Sequence, residues 1–220
     1  MSDPPASDLE LRQLPDSPDA RRFVELSSYA AELSEAHAAL DLALRGFAEG
    51  ELLMDAHAHL VGYAAVAYCR VFFPSKVRRS LDSREFVPAE FTELHQLITD
   101  YRNRRVAHAQ SQLSSTFAFI GLDSSGIRPS LIALTPAQEL PASVLTRWQS
   151  LIDRVADTIA DQQREVESRI MASLGTVDLD VIRSWPPMPE LTVRPTAELT
   201  ARTSRGPYPT EYTMYKDVAD

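Results

Sequence analysis

Val61-Gly62-Tyr63-Ala64-Ala65-Val66-Ala67-Tyr68-Cys69 decides how this chain folds. Nine residues with no charge, no proline and small alanines between larger side chains suit a helix that is apolar almost all round. Such a helix belongs in the middle of a packed protein. Its bounds follow from what flanks it. The helix is predicted from about Glu51, just after Gly50, to Phe73, where Pro74 stops it. Upstream, Ser17-Pro18-Asp19 reads as a helix start, with Ser17 as N-cap and Pro18 at the first helical position. Leu26, Tyr29/Ala30, Leu33, Leu40, Leu44 and Phe47 then recur at helical spacing as far as Gly50.

Downstream of Pro74, residues 75–87 read as a basic loop. A third helix is predicted from Pro88 towards Ala107, its turns marked by Phe91, Leu94, Leu97/Ile98, Tyr101 and Arg105. The β signal is confined to Thr116-Phe-Ala-Phe-Ile120 and Ile127-Arg-Pro-Ser-Leu-Ile-Ala133 around Asp123-Ser-Ser-Gly126, which reads as a hairpin. Pro129 demotes its second strand to an edge. A fourth helix runs from about Pro141 to Leu174, with Leu145, Trp148, Ile152, Val155, Ile159, Val166 and Ile170 as its stripe and Gln162/Gln163 interrupting it. Trp148 and that stripe read as core or dimer seam. The fold class expected is mainly α: a bundle of four long helices with one small β-hairpin between helices three and four. Residues 1–17 are expected to form a flexible acidic leader, 18–174 the helical domain, and 175–220 a proline-rich extended tail carrying Trp185-Pro-Pro-Met-Pro189 and Tyr208, Tyr212 and Tyr215.

Composition narrows the function. Of 220 residues, 44% are hydrophobic and 24% charged, the balance of a soluble globular domain. The single cysteine, Cys69, rules out an intrachain disulfide framework and reads as a buried, inert thiol. No charged-then-apolar leader opens the sequence, and no apolar run reaches the ~20 residues of a bilayer span. A cytoplasmic protein with no membrane partner is expected. The net charge of −9 argues against general coating of nucleic acid. The first 41 residues are strongly acidic, however, while Arg70, Lys76, Arg78, Arg79, Arg84, Arg102, Arg104 and Arg105 cluster later. A local basic site on an acidic protein suits selective phosphate binding.

Tyr101-Arg-Asn-Arg-Arg-Val-Ala-His-Ala109 is where chemistry concentrates. Arg102 offers a permanent charge to a phosphate, and His108 offers proton transfer near neutral pH. On one ideal helix Arg104 and His108, at i and i+4, share a face, whereas Arg102 lies with His95 at i−7. Arg102 and His108 therefore converge only if the helix ends between them or a second copy contributes. The structural rival is a helix end whose histidine caps carbonyls and whose arginines pair with Asp100 or Glu93. His57-x-His59 cannot chelate one metal, because i and i+2 diverge on a helix. Asp55 and His59 lack a third ligand. Neither a metal nor another cofactor is called for.

Arg102-Asn103-x-x-x-x-His108 resembles the short arginine-to-histidine signature of the HEPN superfamily, including the polar residue directly after the arginine. The context Ala67-Tyr-Cys-Arg70-Val-Phe-Phe73, a basic loop, a helix containing His95 and then the motif is similar to uncharacterised bacterial HEPN-like proteins, over about residues 20–172. The resemblance implies a helical bundle that homodimerises with the two motifs facing across the interface. It also implies a metal-independent ribonuclease, often of toxin–antitoxin or phage-defence systems, although other members have lost activity and only bind. Carried onto this chain, Arg102 and His108 take the catalytic positions and Asn103 the orienting one. Arg104, Arg105, Arg70, Lys76, Arg78, Arg79 and His95 are the candidate RNA-binding residues. The chain departs from the family pattern in the very basic Arg104-Arg105 and in lacking an acidic residue after His108. The alternative is a non-catalytic helical protein that binds a protein partner through its last long helix and tail.

Overall fold

The computed structural model describes residues 10–49, 51–76, 78–107, 115–124, 126–135, 140–196, 198 and 208–216. The chain is mainly helical with small strand pairs. Among the described residues six α-helices run Pro18–Glu49 (α1), Glu51–Phe72 (α2), Ser83–Phe86 (α3), Thr92–Tyr101 (α4), Ala142–Leu174 (α5) and Leu179–Arg183 (α6). A 3-10 turn, Ala89–Phe91, leads into α4, and a π-helical turn, Arg102–Val106, ends it. Antiparallel strands Phe117–Asp123 (β1) and Gly126–Leu134 (β2) form a hairpin, with a bulge between Ile120 and Leu122. Among the described residues no helix is long and apolar enough to cross a membrane.

The chain divides into two compact units. One comprises the described residues through Ser27, Ser75–Arg79, and those from Asp161 onward; the other comprises Ser28–Pro74 and Ser80–Ala160. In the second unit α1 buries Tyr29, Leu33, Ala36, Leu40 and Ala43, a run of alternating four- and three-residue steps. That spacing keeps one seam facing the core. α5 repeats it with Leu145, Trp148, Ile152, Val155 and Ile159. α2 buries Val61, Ala64, Ala65, Tyr68 and Val71 but is not dry all round. Tyr63 is half exposed and donates its O–H to Glu35 Oε2 at 2.8 Å. Arg70 leaves the same side and pairs with Glu35 at 2.7 Å and Glu32 at 3.6 Å. Both contacts favour the ionised Glu35 carboxylate and hold its pKa below the usual range, the Tyr63 hydrogen bond most.

In the first unit Ser17 caps α1, its Oγ accepting from the Ala20 N–H at 3.1 Å. The glutamines that break the stripe of α5 have a physical role there. Arg22 donates to Gln162 Oε1 at 2.7 Å, and Gln163 donates to Ser27 Oγ at 3.3 Å, so hydrogen bonds replace apolar packing. The tail holds structure that its prolines conceal. Leu191–Pro195 (β3) and Tyr212–Lys216 (β4) pair in parallel, where the sequence reading anticipates a single hairpin and no parallel pair. Parallel pairing needs no local turn, so no short-range signal announces it. Residues of the leader and tail also meet. Gln13 N–H donates to Pro186 O at 2.8 Å, Tyr208 O–H donates to Leu14 O at 2.6 Å, and Arg12 donates to Trp185 O at 2.9 Å.

Candidate functional site

Arg102 and Asn103 sit on the π-helical turn. Its wider hydrogen bond, Ala107 N–H to Arg102 O at 2.9 Å, takes the chain out of α4. π-turns are rare and cluster at functional positions. Val106 seats this turn against α2, within 3.8 Å of where a Cβ on Gly62 would lie. His108, the proton-transfer candidate, lies outside the described residues.

Arg102 lies over the Phe73 ring, 5.1 Å from its centroid, and donates to Asn103 Oδ1 at 3.0 Å. Among the described residues no carboxylate pairs with it. Asp100, the rival partner, accepts instead from Gln96 at 3.2 Å. An aromatic face and a neutral amide fix a guanidinium without neutralising it.

His95 stands on α4 in an aromatic corner. Its ring lies 4.7 Å from that of Phe72 and 5.8 Å from that of Tyr68, both edge-on, and its Nδ1 is 2.8 Å from Tyr68 Oη. Burial pushes the His95 pKa down and the Tyr68 pKa well above the ordinary phenol range. Tyr68 in turn meets Trp148 of α5 edge-on at 5.8 Å. Tyr68, Phe72 and Phe73 are site neighbours that residue type alone does not mark. Their i, i+4 and i, i+5 spacing at the end of α2 was the available signal.

The other basic candidates separate. Arg104 is exposed, and Arg105 is half-buried with an Nε that finds no partner among the described residues. Arg70 is engaged by Glu32 and Glu35, so its charge is already answered. Lys76, Arg78 and Arg79 belong to the other compact unit, where the Arg79 N–H donates to Glu25 Oε1 at 3.0 Å. His57 and His59 diverge as their spacing requires. His57 is fully buried, its Nδ1 3.2 Å from Ala43 O, while His59 is exposed. Among the described residues no group of three or more His, Cys, Asp or Glu is placed to hold a metal ion.

Cys69 is buried beside this site. Desolvation pushes its thiol pKa up to about 11, against the opposing pull of Arg102 and a hydrogen bond with Thr99. The thiolate is the reactive form. Native protein at pH 8 is therefore expected to resist an aromatic disulfide reagent for hours and to react fully once unfolded in guanidinium. Labelling of the native chain within minutes would contradict that burial.

Compared with family models, curated proteins and solved structures, the chain matches none.

Proposed function

We propose that the chain is a metal-independent endoribonuclease of the HEPN type. The observation that supports this most is Arg102, which is held by Phe73 and Asn103 and given no carboxylate partner among the described residues. In this reading His108 exchanges the proton with the 2′-hydroxyl or the leaving oxygen. Arg102 stabilises the charge that builds on the phosphate, and Asn103 orients Arg102. Attack by the 2′-hydroxyl on phosphorus expels the 5′-oxygen and leaves a 2′,3′-cyclic phosphate. Cleavage of mixed RNA by the purified chain tests it. The four-long-helix bundle, the cytoplasmic location and a place in toxin–antitoxin or phage-defence systems belong to the same reading.

The reading also requires two copies, because two motifs complete the site. The hairpin supports pairing. Phe117, Phe119, Ile120, Leu122, Leu131, Ile132 and Leu134 are each roughly half exposed or more. The register puts Phe117, Phe119, Ile132 and Leu134 on one face, and Ile120 and Leu131 on the other. At roughly 100 Å² exposed per such side chain the first face offers ~400 Å², a patch of the size that marks interaction surfaces and about half of what a standard interface takes from each partner. The segment 117–134 carries only Asp123 and Arg128, so two acidic chains meet there with little repulsion. Light scattering is expected to give twice the chain mass of 24.5 kDa. Leu131→Asp with Phe119→Asp is expected to yield a folded monomer. A wild-type monomer at high concentration, or an unaltered dimer in the double variant, would contradict this surface.

A second reading draws on the tail. Met171, Leu179, Val181, Met188, Val193 and Met214 are all exposed. This apolar surface supports a non-catalytic protein that docks a protein partner through α5 and the tail. Retention of RNA cleavage after the tail residues are made polar would separate the two readings.

A further inference from the structure

Tyr68 and His95 carry an inference that rests on the ribonuclease reading and adds a residue to it. Tyr68 is fully buried, and a buried phenol O–H needs an acceptor. Among the described residues His95 Nδ1, at 2.8 Å, supplies it. If Nδ1 instead carried the proton and donated, the phenol hydrogen would have no acceptor there. The O–H of Tyr68 therefore donates to Nδ1, and the proton of the neutral ring lies on Nε2. Protonating the ring would turn Nδ1 into a donor and take this acceptor from the phenol hydrogen, in keeping with the downward shift that burial imposes on His95. Phe72 and Tyr68 hold the ring edge-on and so fix the direction of Nε2–H. His95 is only partly buried, and among the described residues Nε2 makes no hydrogen bond.

Its neighbour along the helix is Arg102. Seven residues in an α-helix return to the same face about 10 Å further on. The consecutive residues Phe72 and Phe73 at the end of α2 touch His95 and Arg102 respectively. A charged donor and a neutral donor are thus set in line along α4 and the π-turn that follows it, against the C-terminal end of α2. We propose that Tyr68 is a positioning residue that locks His95 as the Nε2–H tautomer, and that this N–H binds a phosphate or ribose oxygen of the RNA strand next to the one held by Arg102. His95 then binds substrate and moves no proton, leaving that task to His108.

Two measurements on the full chain test this. Long-range ¹⁵N–¹H correlation of the imidazoles, with His95 assigned by His95→Gln, is expected to show the Nε2–H tautomer of a neutral ring at pH 7. Tyr68→Phe, which deletes only the hydroxyl, is expected to give mixed tautomers. An Nδ1–H ring or an imidazolium in the wild type would overturn the lock. The second measurement uses fluorescence anisotropy of a labelled single-stranded RNA of mixed sequence, with His108→Ala protein to prevent cleavage. Adding His95→Phe is expected to weaken binding about tenfold, in line with loss of one hydrogen bond to a charged group. Adding His95→Gln, which keeps an N–H donor, is expected to stay within about threefold. Unchanged binding with His95→Phe, while the wild type still cleaves RNA, would overturn the role of His95 and leave the nuclease reading intact. No RNA binding by the His108→Ala protein and no cleavage by the wild type would overturn both, and the tautomer spectrum would still report on Tyr68.

Discussion

Arg102→Ala and His108→Ala are each expected to reduce RNA cleavage by at least about 100-fold while leaving the circular dichroism spectrum unchanged. General acid–base catalysis contributes roughly 10²–10⁴-fold, and a positioned charge on a developing oxyanion contributes on the order of 10²–10³. Arg102→Lys is expected to be badly impaired as well. A lysine ammonium has neither the flat face that lies on Phe73 nor a second donor pair for a phosphate. Chelation by EDTA is expected to change nothing. His37 and His59 are the controls. His37 faces Asp153 at 3.5 Å and His59 is exposed on α2, so replacing either should leave cleavage within about twofold. Full activity in His108→Ala would place the chemistry elsewhere.

Trp148→Ala is expected to be the most destabilising single substitution, costing about 3–5 kcal/mol. Trp148 is fully buried on the seam of α5 and backs Tyr68 edge-on, so its loss empties the space behind the His95 corner. Against a typical domain stability of about 5–15 kcal/mol this is a large fraction. Trp148→Phe should cost much less. It keeps an aromatic ring and removes an indole N–H that has no partner among the described residues. Midpoints of urea unfolding at constant m-value measure both. A loss below about 1 kcal/mol for Trp148→Ala would contradict its place in the core.

The helical periods were legible because they are local. The Ser17 cap, the stop at Pro74 and the stripes of α1 and α5 are set by residues within a few turns of one another. Leu44 is only half-buried while Ala36 and Ala43 are fully buried. The seam selects small side chains where helices approach closely, and hydrophobicity alone does not report that. The β3–β4 pair and the contacts of Gln13 and Tyr208 join residues far apart in sequence, beyond the reach of any spacing rule. The site was legible in part for the same reason. Arg102, Asn103 and His95 stand out by residue type and position on one helix. Their supports, Tyr68, Phe72 and Phe73, come from another helix and look in the sequence like ordinary core. The clustering of basic residues read as one patch, but the fate of each depended on its neighbours. Arg70 is answered by two glutamates, whereas among the described residues Arg102 meets an amide and a ring.

The most direct test of the central claim is incubation of the purified wild-type chain with single-stranded RNA of mixed sequence, with and without EDTA, followed by analysis of the product ends. The account predicts cleavage that is indifferent to the chelator, leaves 2′,3′-cyclic phosphates and 5′-hydroxyls, and disappears in His108→Ala purified in parallel. Intact RNA after prolonged incubation, or cleavage that EDTA abolishes, would contradict it.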